Sequence, residues 1–253
     1  MRVMSLKAAI VAATVIGGAT TASALTVDLD FQGTYALEHD INVRDVDGKP
    51  SYSGAAGGFK MQDLTGPLGN FVAWCLDLST SVKDATYDVL SKSDTLFTNG
   101  RGAVELSTQQ KSDIQSLFDT SYATVSANLG DAKYSGGFQL ALWEIVYEEG
   151  SVGYGMGTGD FRDYYGASST RTDAFDYANQ ILAGLAADDT SKDSFILSFL
   201  ESETYQVQNK KGKWITKHTS QNLVTATPVP LPATGLLLLG GIAGFAGLRR
   251  RKS

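Results

Sequence analysis

The stretch YSGGFQLALWEIVYEEG, residues 134–150, decides the fold because it predicts a helix that is apolar on almost every side. A helix of this kind has no solvent face and belongs inside a protein core. We expect it to run from Gly137 to Glu149, with its acidic residues Glu144 and Glu148 facing solvent. The glycine-rich residues 150–166 that follow predict a loop.

Two further helices are expected beside this central one. Ser107 and Gln110 have the spacing of a capping box, which predicts a helix from Ser107 to Gly130. The apolar stripe of that helix consists of Ile114, Leu117, Phe118 and Val125. Residues 171–189, RTDAFDYANQILAGLAADD, predict the third helix.

Strand patterns lie on both sides of the helices. LTVDLDFQ (25–32) alternates apolar and polar residues, and residues 57–64 and 69–79 are further strand candidates. Residues 45–58, DVDGKPSYSGAAGG, predict a loop, and residues 194–200, 204–208 and 213–227 predict a return to strands. The order predicts an α+β fold in which β-strands flank a central helical segment.

The first residues have the features of a cleaved signal peptide. Arg2 and Lys7 precede an apolar run, and the small residues Ala22-Ser23-Ala24 follow it. We expect cleavage between Ala24 and Leu25, so that residues 1–24 are removed. An uncleaved membrane anchor is the alternative.

The other end combines a short motif, an apolar segment and a basic cluster. The motif is Val229, Pro230, Leu231, Pro232 and Ala233. Residues 235–248 carry no charge, and four cations follow at 249–252. This pattern predicts a C-terminal single membrane-spanning sorting helix, with its cations on the cytoplasmic side. The expected domains are therefore 1–24, 25–227 and 228–253.

This tail closely resembles the VPLPA variant of the PEP-CTERM sorting signal. The resemblance implies that an exosortase-type membrane protease of a Gram-negative, exopolysaccharide-producing bacterium processes the chain. The protein would first be inserted in the inner membrane by its C-terminal helix, and would then reach the cell surface or extracellular matrix. Residues 231–235, LPATG, also fit the LPxTG signal of Gram-positive sortases, so both interpretations stay open.

Charge and composition argue against several functions. The net charge of −6 does not favour nucleic acid or an anionic lipid surface. The histidines His39 and His218 lie in unrelated segments without ligands at metal spacing. We find no Ser-His-Asp, Cys-His or phosphate-binding motif, and therefore expect no enzyme, no metal and no cofactor.

Two residues stand out chemically. Cys75 is the only cysteine of a chain that reads as exported, where thiols usually pair. In a strand it would share a face with Asp77, a candidate proton acceptor. Gln139 places an amide inside the apolar helix, at a cost of about 1–3 kcal/mol if its hydrogen bonds are not satisfied.

One reaction would account for both residues. A cysteine thiol can attack a glutamine amide, expel ammonia and leave an internal thioester. The reaction requires a folded site that holds the groups together, and water must be excluded. Trp143, four residues after Gln139 on the same helix face, and Phe138 could exclude it.

The same residues resemble the signature blocks of bacterial thioester domains. The blocks are WCLDL (74–78) and FQLALWEI (138–145). The resemblance implies that Cys75 is the thiol partner, Gln139 the acyl donor and Trp143 the end of the second block. Such domains occur on surface adhesins, some of which attach covalently to amine- or hydroxyl-bearing targets.

Simpler interpretations remain open. Cys75 can be a small buried apolar residue, and Gln139 can bond a neighbouring strand. The protein would then be a non-reactive structural component of an exopolysaccharide or biofilm matrix. The first hypothesis is a covalent adhesin that does not turn over a substrate.

Overall fold

The computed structural model describes residues 25–44, 50–78, 80–91, 96–98, 103–148, 153–159, 161–163, 173–185 and 194–230. The predicted signal peptide and the predicted membrane segment lie outside these residues. No helix within the described part of the chain is both long and apolar enough to span a membrane.

The described residues form thirteen strands and three helices. In chain order they are β1 Leu25–Thr34, β2 Glu38–Arg44, β3 Pro50–Ala56, β4 Phe59–Asp63, β5 Asn70–Cys75, β6 Ala85–Leu90, β7 Leu96–Thr98, β8 Ala103–Glu105, α1 Thr108–Ala127, α2 Ala132–Tyr147, β9 Arg162–Asp163, α3 Asp173–Leu185, β10 Phe195–Ser202, β11 Thr204–Gln208, β12 Trp214–His218 and β13 Leu223–Pro228.

Six of these strands close into an antiparallel barrel in the order β1-β4-β5-β13-β10-β6. Alternation along each strand sends every second side chain to the inside. The buried residues that meet there are Val27, Leu29, Met61, Ala73, Tyr87, Leu200 and Leu223. A separate sheet, β3-β2-β9, packs beside helix α2, and β11 with β12 forms a two-stranded hairpin.

Helix α2 lies at the centre because small residues let its neighbours approach closely. A Cβ added to Gly136 would lie 2.5 Å from Glu38 Cβ on β2, and one added to Gly137 would lie 2.7 Å from the Ala174 carbonyl oxygen on α3. Aromatic rings join α2 to β5 and α1, with Phe138 centred 4.6 Å from Trp74 and 5.0 Å from Phe118.

The mixed α and β composition and the three helices confirm the sequence predictions. The capping box of Ser107 and Gln110 is formed. Helix α2 begins at Ala132 rather than Gly137, because the Asp131 side chain caps it by accepting a bond from the Lys133 N–H at 2.9 Å.

Two predictions are wrong. Residues 50–56 form strand β3 rather than a loop, because they pair with β2 in the sheet beside α2. Glu144 and Glu148 do not face solvent, since their exposed fractions are 0% and 6%. Helix α2 is buried from Ser135 to its end, and Gly155 and Phe161 bond to the glutamates of its C-terminal turns.

Candidate functional site

Cys75 is the last residue of strand β5 and lies beyond the end of the neighbouring strand β4. On one side Cys75 is in register with Leu223 of β13. On the other side β4 begins only at Phe59, whose register partner is Ala73. The main chain of Cys75 therefore extends beyond β4, and its polar groups need another partner.

The side chain of Gln139 supplies that partner. Its Oε1 accepts a hydrogen bond from the Cys75 N–H at 2.8 Å, and its Nε2 donates one to the Cys75 carbonyl oxygen at 2.8 Å. The amide replaces a missing strand at the edge of β5. Both residues are fully buried. The two bonds therefore satisfy the main-chain polar groups of Cys75 and the amide of Gln139, which would destabilise the core if they had no partner. They also confine the carboxamide to the immediate surroundings of the cysteine side chain.

The Cys75 thiol is fully buried, and its surroundings favour the protonated form over the thiolate. Burial raises the pKa of the Cys75 thiol well above its usual value, and the nearby Asp77 charge raises it further. Hydrogen bonds with the Trp143 side chain and the Asp77 main chain act in the opposite direction. The Sγ donates to the Asp77 main-chain carbonyl oxygen at 3.0 Å, so in this structure the acceptor is the Asp77 main chain rather than its carboxylate.

One stripe of helix α2 organises this region. Gln139, Trp143 and Tyr147 follow at intervals of four residues and therefore share a face. Gln139 bonds to the Cys75 main chain, Trp143 lies beside the Cys75 thiol, and the Tyr147 hydroxyl accepts a bond from the Leu78 N–H at 2.9 Å. Sequence reasoning missed Tyr147, although the i, i+4, i+8 spacing was available as a signal.

A cleft of about 290 Å³ lies against the site. Its lining includes Gly57, Phe59, Leu78, Trp143 and Gln221, together with hydroxyl-bearing residues, and contains no charged side chain. Trp143 lines the cleft and also lies beside the Cys75 thiol. Trp143 is only 2% exposed, and the fully buried Cys75 and Gln139 are not among the residues that line the cleft.

A second polar arrangement connects the C-terminal half of α2 to the glycine-rich residues after it. Glu144 Oε1 accepts a bond from the Gly155 N–H at 2.7 Å, and Glu148 Oε2 accepts one from the Phe161 N–H at 3.2 Å. Burial raises the pKa of Glu144 to about 8, the Gly155 bond opposes this, and the charge of Glu148 adds to it.

The structure brings four of the predicted site residues together, namely Cys75, Gln139, Asp77 and Trp143. The thioester itself remains a prediction.

Of the residues predicted for cleavage and sorting, two can be described. Leu25 is the first residue of β1 and is 49% exposed. Val229 follows β13 and donates its N–H to the Ser194 carbonyl oxygen. Ala24 and the motif residues Leu231, Pro232 and Ala233 lie outside the described residues. Over the described ranges, no three His, Cys, Asp or Glu side chains are grouped to hold a metal.

Comparison with solved structures gives two similar chains. The N-terminal thioester domain of a surface protein from Clostridium perfringens has 10% sequence identity and a TM-score of 0.42, and the match covers 81% of this chain and all of the other. The N-terminal thioester domain of fibronectin-binding protein SfbI from Streptococcus pyogenes has 13% identity and a TM-score of 0.38, with 78% and 100% covered. Likeness at these scores does not assign a function. No protein-family model matches the chain, and no curated protein matches it.

Proposed function

We propose that this chain is an exported surface or matrix protein in which Cys75 and Gln139 form an internal thioester for covalent attachment to a target. The observation that supports this proposal most is the pair of 2.8 Å hydrogen bonds between the Gln139 carboxamide and the Cys75 main chain. They hold an acyl donor beside the chain's only cysteine, in a site from which solvent is excluded.

The bond would form by exchange of sulfur for nitrogen. The Cys75 sulfur attacks the Gln139 carboxamide carbon, the bond from that carbon to Nε2 breaks, and the thiol proton leaves with the nitrogen as ammonia. Negative charge builds up on Oε1 in the tetrahedral intermediate. The Cys75 N–H already donates to this oxygen, which is the arrangement that stabilises an oxyanion.

The same surroundings would keep the bond intact until a target arrives. A thiol with a raised pKa is a poor leaving group, and burial raises the pKa of Cys75. Trp143 lines the cleft, and Gln139, which would carry the acyl carbon, is fully buried. An amine or hydroxyl that enters the cleft would attack this carbon, the carbon–sulfur bond would break, and Cys75 would recover a proton from the attacking group.

Sorting through the tail is part of the proposal and rests on the sequence. The motif at 229–233, the uncharged segment and the four terminal cations favour transient insertion in the inner membrane and processing by an exosortase-type protease. The LPATG residues support sortase anchoring to a cell wall as the alternative.

One observation supports a second function, that of a non-reactive structural matrix protein. Both polar atoms of the Gln139 amide have hydrogen-bond partners, so the buried glutamine needs no covalent bond to be stable. Strand-end bonding of this kind is sufficient to explain why a glutamine stands in the apolar helix α2.

Reaction with methylamine separates the two functions. A thioester would transfer its acyl group to methylamine, so peptide mapping should find one methylamide at Gln139 and a new thiol at Cys75. Cys75→Ser and Gln139→Glu should both abolish incorporation, whereas Gln115→Ala, at another buried glutamine on α1, should retain it. A folded protein that incorporates no methylamine at Gln139 would favour the structural function.

A further inference from the structure

The hairpin of β11 and β12 carries a charge opposite to that of the whole chain. Residues 204–218 contain Lys210, Lys211, Lys213 and Lys217 and no acidic residue, in a protein with a net charge of −6. All four lysine side chains are exposed. Local charge governs attraction at distances within about 10 Å at moderate salt, so this hairpin attracts anions even though the protein as a whole is acidic.

Hydrogen bonds order the main chain of the turn that carries three of these lysines. The Asn209 side-chain oxygen accepts bonds from the N–H groups of Lys211 at 2.9 Å and Lys213 at 3.0 Å. The Asn209 N–H donates to the Lys213 carbonyl oxygen at 2.8 Å, and Gly212 takes the left-handed conformation, φ +77°, that the turn requires. Three lysines are therefore presented on an ordered turn.

One face of the hairpin combines an exposed indole with ordered amides. Trp214 is 63% exposed and stands opposite Gln208, and the next pair on this face is Gln206 with Thr216. Gln206 Nε2 donates to Thr216 Oγ1 at 2.7 Å, and Gln208 Nε2 donates to the Gly212 carbonyl oxygen at 2.9 Å. These bonds fix the two glutamine side chains beside the indole.

We propose that this face, defined by Gln206, Gln208, Trp214, Thr216 and the turn lysines, binds a polysaccharide rich in carboxylated sugars. An exposed indole offers an apolar surface for the C–H face of a sugar ring. Amide and hydroxyl groups fit the ring hydroxyls, and lysines pair with carboxylates.

The polar neighbours of Trp214 distinguish this partner from a membrane. A segment that lies on a bilayer needs a continuous apolar face, whereas the indole here is surrounded by two amides and a hydroxyl. The hairpin shares no residue with the Cys75 site, so this inference holds whether or not the thioester forms.

Affinity electrophoresis in gels containing polygalacturonate tests the proposal with the full-length protein. The protein should be retarded by polygalacturonate and not by neutral dextran. The triple variant Lys210→Gln, Lys211→Gln, Lys213→Gln should bind at least about tenfold more weakly, and added salt should reduce the difference. The control triple Lys60→Gln, Lys83→Gln, Lys133→Gln loses the same charge elsewhere and should bind like the parent.

The aromatic part of the surface is tested separately. Trp214→Ala should weaken binding at every salt concentration, whereas Tyr205→Ala, on the opposite face of the hairpin, should not. Equal loss in the two lysine triples, or equal loss in the two aromatic variants, would overturn the proposal. Binding to phosphatidylglycerol vesicles or to an oligonucleotide as strong as that to polygalacturonate would overturn it as well.

Discussion

At the scale of single residues, the site depends on the Gln139 side chain, which makes the two hydrogen bonds to Cys75 that the main chain of a neighbouring strand would otherwise make. The sequence predicted that Cys75 and Gln139 belong together because each was unusual in its own segment. The structure adds the reason for their contact, since β4 ends before Cys75 and leaves a hydrogen-bonding edge for Gln139. That edge could not be predicted, because it depends on the register between two strands.

Glu144 is one of the two glutamates whose burial the sequence reasoning did not predict. A helix that is apolar on nearly all sides buries each of its polar residues, so the argument applied to Gln139 applies equally to Glu144. The prediction gave charge more weight than position. The Gly155 N–H donates a hydrogen bond to the Glu144 carboxyl group, which offsets part of the cost of burying that group.

Glu144 should make stability depend on pH. The pKa of Glu144 is about 8 in the folded protein and its ordinary value is 4.5. Between these pH values the unfolded chain releases a proton that the folded protein keeps, so this residue's contribution to stability falls as pH rises, by about 1.4 kcal/mol per pH unit. Glutamine at position 144 cannot ionise. The free energy of unfolding of Glu144→Gln should therefore rise relative to that of the parent between pH 5 and 8, by about 1.4 kcal/mol per pH unit.

Thermal unfolding of both proteins across this range measures the effect. Glu203→Gln, at an exposed position, serves as the control and should follow the parent. Parallel pH profiles for the parent and Glu144→Gln would contradict the assignment.

At the scale of elements, the fold depends on how closely helix α2 approaches its neighbours. The three helices could be predicted because capping and apolar periodicity are local signals. Strand β3 could not, since its residues PSYSGAA contain few β-branched or aromatic side chains. Small residues suit this strand because it packs beside α2, and that requirement comes from tertiary structure.

Gly136→Ala tests this close packing. The added Cβ would lie 2.5 Å from Glu38 Cβ and 3.3 Å from the Ala56 carbonyl oxygen, so the helix or the sheet must move. We expect a loss of about 1–3 kcal/mol in the free energy of unfolding, measured by urea denaturation. Gly130→Ala has no atom within 4 Å of the added Cβ and should leave stability nearly unchanged. Equal effects of the two substitutions would show that α2 is not tightly packed.

At the scale of the whole molecule, the order of strands and helices predicted the α+β class but not the barrel. Closure requires β13 to pair with β5, through Leu223 with Cys75 and Val224 with Trp74. Contacts so distant in sequence leave no local signal, because each strand pattern is compatible with many partners. The same pairing brings the end of β5 to the site.

The barrel predicts where the chain can be shortened. A chain of residues 25–230 keeps every barrel strand and should unfold in one cooperative transition. A chain of residues 25–222 lacks β13, which leaves β5 and β10 without a common neighbour, and should not fold. Circular dichroism and thermal unfolding of the two chains measure this. A cooperative transition in the shorter chain would show that β13 is dispensable.

The mass of the intact, folded protein tests the thioester directly. If sulfur has replaced the nitrogen of Gln139, the protein of residues 25–230 should be lighter than its sequence mass by one ammonia, and Cys75→Ala should have its full sequence mass. A parent protein at full mass, with a thiol that titrates once the chain is unfolded, would contradict the covalent account and leave Gln139 as the hydrogen-bonding partner of a strand end.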